Sequence, residues 1–353
     1  MGRAIKNILQ KIAQQGLDGL LVSSGANISY LTRTLAREAY LLISRNKSVY
    51  FTDSRYIEEA KNALGRNFRL IKTNGSAFSL IARECLELEL KRIGFEGRLL
   101  PFAEYKKIQD ELGRKARLAP AHGLVEGLRE VKSPEEIRKI RRAIAVTSAA
   151  LEFAQKSIRP GKKELEIAGE LERFIRYHGA SGSAFEIIVA SGPNSSLPHH
   201  MPGRRVIRKD EPVMIDIGVD YLGYKSDLTR MFFSGKIKGL VKIIYDIVLE
   251  AQRKALQEIG PAKNISTVDA AGRQHIFQKG YGKFFGHSLG HGVGLEVHEE
   301  PHITAKNTSP LTAGMVITIE PAIYLPGKFG IRIEDMVLVT KAGMEVLSGA
   351  VHK

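Results

Sequence analysis

The sequence predicts an α+β protein in two parts, an α/β domain followed by a domain of two similar α-α-β-β halves. Three observations carry that expectation. The chain has 353 residues, long for one typical domain. Its first third alternates helical and strand patterns. Its remainder repeats one order of elements, and each repeat closes on a hairpin with two carboxylates set into apolar strands. The boundary is placed between residues 127 and 128.

In the first domain, IKNILQKIAQQG reads as a helix ending at Gly16, and DGLLVSS as a short buried strand. AYLLIS and KSVYFTD read as a strand pair, and SRYIEEAKNAL as a following helix. That alternation argues a central sheet. No histidines or carboxylates gather there at ligand spacing, so the domain is read as structural or oligomerising.

The second domain opens at REVKSPEEIRKI. Ser133 suits an N-cap, Pro134 the first helical position, and Glu136 completes a capping box. Helix 134–158, a Pro-Gly break and helix 163–178 lead to VMIDIG. Helix 238–259, a Gly-Pro break and helix 267–279 lead to VITIEP. Pro134 to Asp216 and Lys238 to Glu320 are both 82 residues apart. The pattern predicts two halves related by a pseudo-twofold, each delivering carboxylates to one place.

The hairpin PVMIDIGVDYLGYKSDLTRMFF, centred between Tyr221 and Leu222, sets Asp216 opposite Asp227. The hairpin VITIEPAIYLPGKFGIRIEDMVLV, centred on Gly327, sets Glu320 opposite Glu334. Opposed residues share a face of a sheet. Four buried carboxylates cannot all stay ionised unless cations compensate them. Two divalent ions would do so, and with one imidazole the donor set suits Mn²⁺, Co²⁺ or Zn²⁺. Such a pair supplies a nucleophile at neutral pH and polarises a carbonyl.

The imidazole is expected from FFGHSLGHGVGLEVHEEPHI, which holds His287, His291, His298 and His302 among glycines. His287 and His291 have the spacing of a helical HExxH zinc motif, but Ser288 stands where its glutamate belongs and the glycines oppose a helix. The stretch alone leaves open a metal site or a glycine-rich loop with locally bonded histidines.

Composition narrows the remaining classes. One cysteine, Cys85, excludes an internal disulfide and fits a reducing compartment. MGRAIKNILQ has no apolar leader core, and no apolar run reaches membrane-spanning length. A soluble cytoplasmic protein is expected. The net charge of +15 is spread evenly: residues 1–127 hold 21 Lys+Arg against 13 Asp+Glu, the rest 32 against 25. Basic residues lie in mixed, amphipathic segments, so nucleic acid is not an expected partner.

The order Asp216, Asp227, His291, Glu320, Glu334 resembles the five metal ligands of the pita-bread metallopeptidases, in the matching strings IDIG, SDLTR, GHGVGLEVHE, TIEP and RIED. NISYLT and FTDSRY resemble the creatinase/prolidase-type N-terminal domain, so the likeness covers essentially the whole chain. The resemblance implies a pita-bread fold with two divalent ions per subunit, Mn²⁺ foremost and Co²⁺ or Zn²⁺ as alternatives. Asp216 would hold one ion, His291 and Glu320 the other, and Asp227 and Glu334 would bridge. Glu320 would also shuttle the proton of the attacking water, and His298 would hydrogen-bond the scissile carbonyl as it becomes an oxyanion. His287 would line the proline pocket, His199 of SGPNSSLPHH the substrate pocket, and Tyr324 and Arg332 the substrate side. His200 is read as a bystander, and His122, His178, His275 and His352 receive no role.

The implied activity is hydrolysis of the Xaa-Pro bond of proline-containing peptides, by a homodimer. Dipeptidase-type relatives often carry an arginine after the proline of HExP, where this chain has His302. That departure favours an aminopeptidase P over the alternative, an Xaa-Pro dipeptidase (prolidase). Non-catalytic relatives lose metal ligands, whereas all five residues are present here.

Overall fold

The alternation read in the first third builds a six-stranded mixed sheet. The computed structural model describes residues 3–349 together with Val351 and Lys353, and divides after Arg129 into two units. His352 lies outside the described residues.

In the first unit α1 (Arg3–Gln14) buries Ile5, Ile8 and Ile12, one stripe at helical spacing, and ends before Gly16 at φ +64°. The strands are β1 (Gly19–Val22), β2 (Ala39–Ser44), β3 (Ser48–Asp53), β4 (Phe68–Thr73), β5 (Arg92–Glu96) and β6 (Arg117–Ala121). Their order is β4-β3-β2-β1-β5-β6. AYLLIS and KSVYFTD do pair, as β2 and β3, and the pairing is antiparallel. Around the sheet lie α2 (Gly25–Thr32), α3 (Ile57–Ala63), α4 (Phe78–Glu87), α5 (Phe102–Leu112) and α6 (Glu126–Arg129). Leu20, Val22, Leu41 and Ile43 join one core, while Leu21, Leu42, Val49 and Phe51 join another. Alternate residues of a strand point to opposite faces, so both faces of the sheet are covered.

The polar cluster absent from the sequence reading sits at the start of α2. Glu96 accepts from the backbone N–H groups of Ser23 and Ser24 at 2.6 and 2.7 Å and from Asn27 Nδ2 at 2.6 Å. Arg129 Nη1 donates to Asn27 Oδ1 at 2.6 Å. A carboxylate thus takes up free N–H groups at a helix start. Burial holds its pKa above the ordinary carboxylate range despite these donors.

The second unit begins on the expected capping box: Ser133 and Glu136 exchange hydrogen bonds at the start of α7 (Pro134–Ser157). There follow α8 (Glu164–Tyr177), β7 (Gly182–Ser183), β8 (Ile188–Ser191), β9 (Pro212–Ile217), β10 (Val219–Tyr221), β11 (Tyr224–Lys225) and β12 (Leu228–Phe233). The second half supplies α9 (Gly239–Gln257), α10 (Ile265–Gln278), β13 (Gly290–Gly292), β14 (Glu299–Ile303), β15 (Val316–Ile319), β16 (Ala322–Leu325), β17 (Phe329–Arg332), β18 (Asp335–Thr340) and β19 (Gly343–Val346). The repeat is evident in the pairing. β8-β9-β12 in the first half corresponds to β13-β15-β18 in the second, and the hairpin tips β10-β11 and β16-β17 separate from those sheets in the same way. Helices α7 and α8 share one core with β9, and α9 and α10 share another with β16 and β17.

The second hairpin has the predicted register, since Ala322 faces Arg332 and Ile319 faces Asp335. The first is shifted. Asp216 faces Thr229, not Asp227. The turn is Leu222-Gly223, both at positive φ (52° and 85°), which fits a two-residue hairpin whose twist matches its strands. Asp227 lies two residues from Thr229, and side chains repeat with period two, so it still shares a face with Asp216.

Candidate metal centre

Each acidic residue of the site stands where a ladder begins, ends or breaks. Asp216 is the fifth residue of β9, and Asp227 lies between β11 and β12. Glu320 follows β15, and Glu334 lies between β17 and β18. His291 is the middle residue of β13. Gly290 and Gly292 flank it because a Cβ at either would strike backbone oxygen of Thr318 or Glu300. In the structure these two let neighbouring strands close around His291. Gly292→Ala is therefore expected to destabilise the fold by about 1–3 kcal/mol, as overpacking does. A thermal unfolding midpoint equal to wild type would contradict that account.

Asp216, Asp227 and Glu334 offer ligand atoms within 4.8 Å of one another, as do His291, Glu320 and Glu334, and Asp227, His291 and His298. His291 Nε2 is 3.3 Å from Glu320 Oε1 and 3.6 Å from Asp227 Oδ2. Its Nδ1 lies 3.1 Å from the Gly292 carbonyl, which can only accept. Nδ1 therefore carries a proton, and Nε2 is the ring nitrogen that faces the carboxylates.

The electrostatics call for cations. Burial first, then the neighbouring carboxylates, hold Asp227 and Glu334 well above the ordinary range. Burial raises Asp216 as well, against the pull of Arg332. Glu320 is lowered although burial opposes it, chiefly because of His291, with Arg332 adding to the pull. Asp216 Oδ1 is buried without a hydrogen-bond partner. An orphaned carboxylate oxygen among carboxylates and one imidazole fits divalent metal ions.

All ten sequence-predicted residues line one cavity of about 310 Å³: the five above with His199, His287, His298, Tyr324 and Arg332. Phe185, Ile188 and Met201 add apolar wall. Tyr324 and Arg332 are largely committed to protein atoms. Arg332 donates from Nε to Thr229 Oγ1 at 3.0 Å, and from Nη1 to Pro198 O at 3.1 Å and Tyr324 Oη at 2.7 Å. Its Nη2 donates to Asp216. His287 Nδ1 donates to Ser288 O at 2.7 Å, leaving Nε2 to accept from Tyr324 Oη at 3.2 Å. Burial pushes the tyrosine up to about 12 and His287 down. A neutral His287 makes its 3.9 Å approach to Glu320 no salt bridge. Burial, then His291, also lowers His298.

Three contributors were not visible in the sequence. Thr229, opposite Asp216, donates to Glu334 Oε2 at 2.8 Å while accepting from Arg332, so one hydroxyl links the two halves. His200 is no bystander. It lines the cavity, and its Nε2 lies 2.9 Å from the fully buried Glu164. Glu164 also accepts from Ser191 N at 2.7 Å and Asn194 Nδ2 at 3.0 Å, anchoring the loop that carries His199. His302 is exposed and is not among the residues lining the cavity.

A strand-break cluster of carboxylates with one imidazole, delivered by two like halves, defines a metallopeptidase-type centre. The chain belongs to metallopeptidase family M24, which it matches over residues 138–341, and residues 5–131 match the creatinase/prolidase N-terminal domain. The family implies divalent metal ions. The chain is 34% identical over 352 residues to the Xaa-Pro dipeptidase of Pyrococcus horikoshii, covering 99% of this chain and 97% of that protein. Among solved structures, the Xaa-Pro dipeptidase from Bacillus anthracis superposes with a TM-score of 0.95 at 36% identity, covering 99% of this chain and 98% of that one. The X-Pro aminopeptidase from Thermotoga maritima does so at 0.90 and 37%, covering 99% and 98%.

Proposed function

We propose that this enzyme hydrolyses the peptide bond preceding proline, with Xaa-Pro dipeptides as preferred substrates. The observation that carries the reading is a cavity in which the carboxylate cluster and His291 face four further histidines and an apolar wall. About 310 Å³ is the lower end of small-ligand sites and suits a dipeptide. Relatives named as Xaa-Pro dipeptidases, 34% and 36% identical, point the same way. The sequence preference for an aminopeptidase rested on His302, which stands outside the cavity lining and so loses its force. The Thermotoga maritima relative keeps the aminopeptidase as a second reading.

Asp216, Asp227, His291, Glu320 and Glu334 would hold two divalent ions, Mn²⁺ being the first expected. Such ions supply an activated nucleophile and polarise the scissile carbonyl. Glu320, which lines the cavity beside His291, would accept the proton of the attacking water. His298, neutral at pH 7, can donate a hydrogen bond to the carbonyl oxygen as charge develops there. His199, His287 and the apolar wall would orient the substrate, while Arg332 holds Asp216 and, through Tyr324, the His287 ring.

Hydrolysis of Ala-Pro and Ala-Pro-Ala, compared with added Mn²⁺, tests this. The dipeptide is expected to have the higher kcat/KM. A preference for the tripeptide would transfer the assignment to the aminopeptidase, and cleavage of neither would defeat the peptidase reading.

A further inference from the structure

The two carboxylate-bearing hairpins each receive one buried polar side chain from a helix of their own half. In the second half it is Gln252 of α9, which is wholly buried. Its Nε2 donates to the carbonyl of Ile319 at 3.0 Å and of Ile333 at 3.1 Å. Those residues immediately precede Glu320 and Glu334. Lys353 Nζ donates to Gln252 Oε1 at 2.7 Å, which directs both amide N–H groups at the two carbonyls.

The first half repeats the device. Thr147 stands thirteen residues after Pro134, as Gln252 stands thirteen after Gly239. It too is wholly buried, and its Oγ1 lies 2.7 Å from Ser226 Oγ. Ser226 Oγ accepts from the backbone of Val219 across the hairpin at 3.0 Å, and Ser226 immediately precedes Asp227. Thr147 Oγ1 donates to Ala143 O at 3.1 Å, so Ser226 donates to Thr147. Both side chains therefore reach the break in the ladder where the acidic residues emerge.

We propose that Gln252 and Thr147 are equivalent positioning residues that fix the strand breaks and thereby the spacing of the metal-binding carboxylates. This rests on the reading that those carboxylates and His291 hold divalent ions. A core that only needed filling would place an apolar side chain at either point, since a buried amide or hydroxyl is tolerated only when hydrogen-bonded. Here the amide ties the segments bearing Glu320 and Glu334 to one another, and the hydroxyl ties the Asp227 segment to α7.

The test is Mn²⁺ binding to the full chain by calorimetric titration and by the electron paramagnetic resonance spectrum of the bound ion. Wild type is compared with Gln252→Met, Thr147→Val and Thr147→Ser, and metal-free melting is recorded for each. Gln252→Met and Thr147→Val are expected to bind Mn²⁺ about 10- to 100-fold more weakly, with an altered spectrum. Thr147→Ser, which keeps the hydroxyl, is expected to bind like wild type. If both donor-less variants keep wild-type affinity and spectrum while melting lower, the residues are structural only and the proposal is overturned. If Gln252→Met does not fold, the near-isosteric Thr147→Val against Thr147→Ser decides alone. A wild type that binds no divalent ion would sink the metal reading itself, and the clamp with it, a result distinct from unchanged affinity in the variants.

Discussion

Asp227→Asn is expected to abolish peptidase activity while raising the melting temperature of the metal-free protein. Its carboxyl is held well above the ordinary range by burial, then by Glu334, Asp216 and Glu320. A carboxyl whose folded pKa exceeds its unfolded value of about 3.9 costs stability at every pH above that value. Asparagine removes the ionisable group, so the metal-free variant should outlast metal-free wild type at pH 7, and the gap should close towards pH 4. Added Mn²⁺ inverts the order, because an ion that binds only the folded state stabilises it and the variant has lost a ligand. Activity should fall at least about 10³-fold, since even groups that merely support metal ligands are worth about 10- to 100-fold. Calorimetric melts with and without Mn²⁺ read both effects. A variant with the wild-type Mn²⁺ shift would remove Asp227 from the metal site.

Asp335→Ala is expected to destabilise the protein by about 3–5 kcal/mol, because it leaves the Arg230 guanidinium buried and unpaired. Arg230 is 1% exposed, and its Nη2 donates to Asp335 Oδ1 at 2.8 Å. Its Nη1 donates to the carbonyls of Thr229 and Glu334, so the same group underlies the metal centre. The melting temperature should drop on the order of 10 °C. Arg230→Met combined with Asp335→Leu should recover much of the loss, as paired apolar replacements do. The pH dependence has a definite sign. Burial tends to raise Asp335, but Arg230 and Lys353 overcome it, and its pKa lies below the ordinary value. Its contribution is full above about pH 3.9 and fades as pH falls through the folded value, so wild type and variant should converge in acid. A gap that persists at low pH would mean that packing, not charge, sets the cost.

Local signals were the readable ones. Ser133, Pro134 and Glu136 announce α7 because a capping box depends on residues three apart, and the structure contains it. The four carboxylates stood out because strands that are otherwise apolar leave charged residues no ordinary reason to be there. The register of the first hairpin was missed because it turns on backbone conformation at Leu222, a residue whose type does not announce positive φ. Thr229 and Glu164 were invisible for another reason. A threonine in a strand and a glutamate in the first turn of a helix are ordinary, and only their partners 105 and 27 residues away give them a role. In the first unit α2 went unread, since its start is completed by Glu96 from a distant strand.

The pleat of the first hairpin behaves as a parity check on the active centre. A strand that slides by two positions against its neighbour returns Asp227 to the side of the sheet that Asp216 occupies. A slide by one turns it away from every other ligand. A slip by an even step thus keeps Asp227 on the ligand side but carries it about 6–7 Å along the strand, and a slip by an odd step turns it away altogether. Either slip would take Asp227 from the other ligands, and the tight Leu222-Gly223 turn is where the register is fixed.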